Sequence, residues 1–164
     1  MADTFSTYYH SPVGLLKIAG TEHYISEVEF QDTTEIPTSN DVLPAMLIQC
    51  TEQLIQYFNG QRRVFDIPLH QSGTPFQQDV WNLLTTIPFG KTISYLDLAR
   101  KTGDPKATRA VANANGKNKI AIIIPCHRVI GSNRDLTGYA GGIQRKRWLL
   151  EHETKIAYGV QTLF

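Results

Sequence analysis

The period of the apolar residues changes partway along this 164-residue chain, and the change decides the fold class. Near the start, residues 5–10 and 15–19 flank Ser11-Pro-Val-Gly14, where proline and glycine fix a turn between two strands. In residues 24–30, Tyr24, Val28 and Phe30 share one face while Glu27 and Glu29 take the other, the period-two pattern of a half-buried strand. A polar loop at 33–40 follows. Leu43, Leu47, Cys50, Leu54 and Phe58 then recur at helical spacing, and Asn59-Gly60 closes that helix. Residues 68–73 read as a linker. Beyond it Thr74-Pro75 is a helix start with proline at the first helical position, and Phe76, Val80, Leu83, Leu84 and Ile87 form an apolar stripe that Pro88-Phe89-Gly90 ends. These patterns predict an α+β protein. Residues 1–73 would form an N-terminal antiparallel sheet with one long helix, and residues 74–164 a mostly helical second domain.

The second part carries two short helices. Ser94-Tyr-Leu-Asp97 has the form of a capping box, a helix runs from it to about Lys101, and the chain turns at Gly103-Asp104-Pro105. A further helix runs to Asn115, with Gly116 as its stop. Such a pair is a helix-turn-helix, a unit that serves both DNA binding and plain packing. Ala107, Ala110, Ala112 and Ala114 give the second helix a smooth surface from which Arg109 stands out. That surface suits close approach to a ligand or to a neighbouring element.

Charge favours a polyanion. The chain's net charge of +1 combines two opposed parts. In residues 1–73 three basic side chains against nine acidic ones leave −6, and in 74–164 thirteen against six leave +7. The 41% apolar and 19% charged composition is that of a soluble globule. The longest apolar run, residues 120–124, is too short to span a bilayer, and Met-Ala-Asp-Thr-Phe-Ser lacks the basic start of a signal peptide. A cytoplasmic protein without membrane partners is expected. Neither Cys-x-x-Cys nor His-x-x-x-His spacing occurs, so no metal and no cofactor are expected.

The run Ile-Ala-Ile-Ile-Ile at 120–124 reads as a buried strand that delivers Pro125-Cys126-His127-Arg128. A thiol is mostly protonated at neutral pH, and an adjacent base or cation raises its thiolate fraction. Cys126 is therefore the candidate nucleophile, although a lone cysteine also serves as a small buried hydrophobe. Cys50, on a helical stripe, reads as the latter.

Ile124-Pro-Cys-His-Arg-Val-Ile-Gly131 resembles the active-site signature of the O6-alkylguanine-DNA alkyltransferases. The resemblance extends through Thr74-Pro-Phe-Gln77, Val80-Trp81, Ile87-Pro88, Ser94-Tyr95, Arg109-Ala-Val111 and Asn118. It continues in Leu136-Thr-Gly-Tyr-Ala-Gly-Gly142, Arg145-Lys146, Trp148-Leu-Leu150 and His152-Glu153, whereas the first 70 residues match only in general plan. It implies a ribonuclease-H-like first domain and a winged-helix-like helix-turn-helix second domain. It also implies irreversible, single-turnover transfer of the alkyl group of O6-alkylguanine, with O4-alkylthymine as a further candidate, onto Cys126.

The resemblance assigns roles. His127 would be the base, acting through a water, and Glu153 would hold its tautomer. Tyr95 would hydrogen-bond the guanine and help neutralise the leaving base, and Asn118 would brace the cysteine turn. Arg109 would fill the stack left by an extruded base, with Ala110 beside it on a helix lying in the minor groove of double-stranded DNA. Tyr139 and Ala140 would border the alkyl group, the carbonyls of Cys126 and Val129 would read the guanine amino group, and Arg128 would join the DNA-facing set. A monomer suffices.

Ala112 stands where glycine is common in the family, and Lys119 where proline often follows the asparagine. The N-terminal cysteine ligands of zinc-containing members have no counterpart. Related non-enzymatic proteins carry tryptophan where Cys126 stands. Three rival readings stay open: a non-catalytic alkylguanine-binding module, a Cys-His hydrolase or acyltransferase, and a winged-helix regulator.

Overall fold

The computed structural model describes residues 3–159, and the chain divides into two compact units, Met1–Gln71 and Ser72–Phe164. The expected α+β class is borne out. In the first unit β1 (Phe5–Ser11), β2 (Gly14–Gly20) and β3 (Ile25–Gln31) form an antiparallel sheet in the order β1-β2-β3. Ser11 pairs with Gly14 across the first turn, where the Ser11 hydroxyl donates to the Gly14 carbonyl at 2.7 Å and Gly14 takes a positive φ of 113°. Leu16 and Ile18 are fully buried and pair with Phe30 and Val28.

Helix α1 (Ala45–Phe58) packs on this sheet through Leu47, Cys50, Leu54, Tyr57 and Phe58. Pro44 occupies its N-cap, so Leu43 lies just outside the helix it was expected to open. Burial pushes the Cys50 thiol up to about 12, as suits a packing residue. Residues 68–70 are more than a linker. Leu69 bridges Ile25 in parallel, with Ile25 N–H donating to the Pro68 carbonyl and His70 N–H to that of Ile25.

In the second unit α2 (Pro75–Leu84) opens with a reciprocal capping box. Gln77 N–H donates to the Thr74 hydroxyl at 3.1 Å and Thr74 N–H to Gln77 Oε1 at 3.0 Å. The helix buries Val80, Trp81 and Leu84 but stops before Ile87, and Phe76 lies 37% exposed. The Trp81 indole donates to the Ala114 carbonyl at 2.9 Å. Helices α3 (Tyr95–Lys101) and α4 (Thr108–Gly116) form the expected pair, joined through a 3-10 turn at Pro105–Ala107 capped by Asp104. A parallel ladder of β4 (Ile93–Ser94) with β5 (Val129–Ile130) ties the start of α3 to the segment after Cys126.

One expectation fails here. Residues 120–124 are no strand. The run folds into a compact turn, with Ile124 N–H donating to the Ile120 carbonyl and Ile122 at a φ of 71°. The Asn118 side chain supplies the partners that a sheet would have given, donating to the Ile120 and Ile124 carbonyls and accepting from Ile120 N–H. Beyond residue 142 the chain forms α5 (Ile143–Tyr158), a helix that no apolar spacing in the sequence had marked. Among the described residues no helix is long and apolar enough to cross a membrane.

Candidate functional site

Cys126 opens a single 3-10 turn, Cys126–Arg128, whose three residues are all buried. Asn118, just beyond α4, reaches the thiol with its amide, 3.3 Å from Nδ2 to Sγ. The same amide holds the 120–124 turn, so one side chain fixes both the approach to Cys126 and a donor on its sulfur. Burial raises the thiol's pKa; Asn118 and the charge of Lys146 work against it.

His127 is fully buried, and its Nε2 lies 2.7 Å from Glu153 Oε2. Burial lowers the imidazole's pKa and outweighs the opposing pull of Glu153, which favours the neutral ring at neutral pH. A neutral ring facing a carboxylate through Nε2 carries its proton there, which leaves Nδ1 as the acceptor. Nδ1 is buried and has no hydrogen-bond partner among the described residues. Burial alone would raise the Glu153 pKa, yet His127 and Arg128 hold the carboxyl well below the usual range.

Arg128 departs from expectation. It is 6% exposed, not DNA-facing: Nε and Nη2 donate to the two Glu153 oxygens at 2.8 and 3.1 Å, and Nη1 donates to the Ile87 carbonyl at 2.7 Å. A guanidinium is kept in such a place only by a paired carboxylate and satisfied donors. Its work is on Glu153.

Tyr95 begins α3, and its hydroxyl donates to the Thr137 carbonyl at 3.1 Å. Burial and the charge of Cys126 raise the phenol's pKa, whereas hydrogen bonds with Asn115 and Thr137 lower it. Thr137 belongs to the loop between β5 and α5, which also carries Tyr139 and Ala140. The Tyr139 hydroxyl is buried, and burial followed by the charges of Cys126 and Glu153 raises its pKa well above the usual value. Ala140 is exposed. Val129 is fully buried, and its N–H donates to the Cys126 carbonyl. Arg109 and Ala110 stand apart from this cluster, exposed on α4.

Sequence reasoning missed two side chains. Lys146 is fully buried on α5, two helical turns before Glu153 on the same face, and its ammonium donates to the Thr137 carbonyl at 3.0 Å. Burial lowers its pKa to about 8, against the opposing effect of Cys126. Asn115, near the end of α4, is 2% exposed and donates to the Cys126 carbonyl at 3.3 Å. A signal for Lys146 existed: a cation at a helical spacing that Leu149, Leu150 and Glu153 share.

A helix-turn-helix unit that carries a buried Cys-His-Glu cluster defines a thiol-based group-transfer protein built on a DNA-binding frame. Comparison with known proteins gives the family. Residues 75–155 match the family model for the 6-O-methylguanine DNA methyltransferase DNA binding domain, and residues 4–71 that for its ribonuclease-like domain. The methylated-DNA--protein-cysteine methyltransferase of Mycobacterium tuberculosis (strain H37Rv) is 46% identical over 156 residues, 94% of each chain. That of Methanosarcina acetivorans is 44% identical over 148 residues, 88% of this chain and 95% of that one. The crystal structure of Mycobacterium tuberculosis OGT in complex with DNA superposes with a TM-score of 0.82 at 46% identity, covering 91% of this chain and 92% of that one. The chain belongs to the 6-O-methylguanine DNA methyltransferase family.

Proposed function

We propose that this protein repairs DNA directly, moving the alkyl group of O6-alkylguanine onto Cys126 Sγ once per molecule. His127 Nδ1 takes the thiol proton through a water, and Glu153 holds the proton on Nε2 so that Nδ1 stays free to accept. The sulfur then bonds to the alkyl carbon, the carbon–O6 bond breaks, and its electron pair leaves with the guanine. Tyr95 hydrogen-bonds the base and supplies a proton to the leaving group. Asn118 orients the thiol, and Tyr139 and Ala140 border the alkyl group. The carbonyls of Cys126 and Val129 face the guanine amino group. O4-alkylthymine is a second candidate lesion.

Residues 74–164 carry the chemistry and the DNA contacts. The exposed Arg109 and Ala110 of α4 suit a helix pressed into the minor groove, with Arg109 filling the stack behind an extruded base. The relative from Mycobacterium tuberculosis was solved on DNA. We assign the protein to the cytoplasm as a monomer.

The observation that carries this reading is the 2.7 Å His127–Glu153 contact beside a thiol held by Asn118 at 3.3 Å. Intact mass after incubation with an O6-methylguanine duplex tests it. One methyl group is gained per molecule, product forms in a burst equal to the protein concentration, and Cys126→Ser gains nothing while still binding DNA. Product beyond one equivalent would revive a hydrolase, and no mass gain would leave a binding module.

A further inference from the structure

His127 can serve as a base only while its Nδ1 is empty, and Glu153 by itself works against that. The carboxylate lies 2.7 Å from Nε2, and both side chains are buried. A lone buried carboxylate favours a second proton on the ring, because an imidazolium is its nearest counter-charge. The structure supplies a different one. Arg128 Nε and Nη2 donate to the two Glu153 oxygens at 2.8 and 3.1 Å, and Gly90 N–H reaches Oε1 at 3.4 Å. Arg128 Nη1 donates to the Ile87 carbonyl at 2.7 Å, and the guanidinium carbon lies 5.7 Å from the centre of the Phe89 ring. The guanidinium is thus fixed from the segment after α2 as well as from α5.

We propose that Arg128 is a positioning residue for the proton transfer: by occupying both oxygens of Glu153 it keeps His127 Nδ1 empty, so that the ring takes its second proton from the Cys126 thiol and not from solvent beforehand. The inference rests on the role proposed above for His127 as the base. Glu153 and Arg128 together carry no net charge, so beside them the ring needs no proton for neutrality. The pair still orients the ring, since Oε2 remains the acceptor of Nε2–H. When the thiol proton reaches Nδ1 through a water, the imidazolium that forms already lies against a carboxylate. The other groups facing the ring fit this assignment. Burial lowers the ring's pKa against the pull of Glu153, and the charges of Arg128 and Lys146 act in the same direction as burial. Lys146, from α5, donates to the Thr137 carbonyl and not to Glu153. Tyr139, which feels the charges of Cys126 and Glu153, stays uncharged because burial raises its pKa. Cys126 and Arg128 share the ring's own turn, and α2, packed against that turn, has Asp79 as its one charged residue, which is exposed.

Nitrogen NMR of the imidazole reads the charge and tautomer of His127, and single-turnover transfer from saturating O6-methylguanine duplex reads the consequence. At pH 6.5, where an ordinary imidazole is half charged, His127 of the unaltered protein should be neutral with its proton on Nε2. Arg128→Gln keeps an N–H donor for Glu153 but drops the charge. Its His127 should protonate about one pH unit higher than in the unaltered protein. Transfer should then be about tenfold slower in weak acid and approach the unaltered rate as pH rises. Arg128→Lys, which restores the charge, should return most of the lost rate. Should Arg128→Gln not fold, the titration is read with Glu153→Gln added, where both charges are gone and His127 should again be neutral. A ring half charged or more at pH 6.5 in the unaltered protein or the double variant overturns the assignment. So does an unmoved His127 titration in Arg128→Gln, or a loss of rate there that is equal at every pH. Failure of the unaltered protein to gain a methyl group would instead sink the reading of the site, and the NMR result stands apart from it.

Discussion

Tyr95 and Lys146 donate to one oxygen, the carbonyl of Thr137, at 3.1 and 3.0 Å. They come from different helices, so the loop before α5 is pinned from α3 and α5 at a single point. The Lys146 ammonium also lies 5.8 Å from the centre of the Tyr95 ring. Phenol, cation and thiol are thereby coupled, and the coupling has a measurable consequence in pH.

Burial holds Lys146 at about 8, below its ordinary 10.5. While protonated it favours the Cys126 thiolate; above about pH 8 that support is lost. The rate of methyl transfer should still climb as rising pH draws the proton off the thiol, but its slope is expected to turn shallower on the alkaline side of about pH 8. Lys146→Met should react about tenfold more slowly at neutral pH, the effect of one pKa unit at the thiol, and should lack the turn. Because the folded pKa is the lower one, the unfolded chain binds more protons between about 8 and 10.5, and Lys146 makes the fold gain stability as pH rises through that window. Single-turnover rates across neutral and alkaline pH check the first effect, and denaturant titrations the second.

Glu153 is the counter-charge of a buried Arg128, and Glu153→Gln leaves that guanidinium unpaired. A loss of about 3–5 kcal/mol in unfolding free energy is expected, as for breaking a buried ion pair from one side. Acid acts on the same cluster. His127 is lowered in the folded state, so its contribution is present above about pH 6.5 and is lost below it as the unfolded chain takes up the proton. Glu153, also lowered, adds a second loss below the ordinary carboxylate range. Equilibrium unfolding measured from neutral to acid pH should show both losses, and Glu153→Gln should lack the second.

Arg109→Ala should slow transfer from duplex DNA more than transfer from free O6-methylguanine base, since the arginine is exposed on α4 and outside the thiol cluster. A loss of a few kcal/mol in the duplex reaction is the scale of unsupported base extrusion, roughly a hundredfold in rate. Parallel rate measurements on the two substrates decide it, and equal losses would place Arg109 in folding or chemistry instead.

Gly73 has no room for a side chain: a Cβ there would sit 2.5 Å from the end of the Trp81 ring. Gly73→Ala should displace the indole that ties α2 to α4 and cost about 1–3 kcal/mol in stability, as overpacking does. Denaturant midpoints measure it.

Local chemistry was legible in the sequence wherever one residue settles its own neighbourhood. Thr74 with Pro75 and Ser94 with Asp97 announce their helices, because a helix start is settled within about four residues. Helix α5 was illegible for the opposite reason. Its buried face carries Lys146, Glu153 and Thr154 among the leucines, so the apolar period is broken by the residues that serve the site. The run at 120–124 misled because its composition is that of a strand, while the Asn118 amide, from outside the run, satisfies its backbone. Arg128 misled because charge predicts exposure until a partner is known, and Glu153 lies 25 residues away.

Ile122 holds a φ of 71°, a left-handed conformation that a β-branched residue does not keep on its own. It is 1% exposed, so the packed interior of the second unit imposes it. The setting of Cys126 is therefore not portable. A synthetic peptide spanning 118–128 contains every neighbour in sequence and would still present an ordinary cysteine, because the backbone that aims the Asn118 amide at the sulfur exists only inside the folded unit. The thiol's reactivity is a property of tertiary structure, acquired when the unit closes and surrendered when it opens.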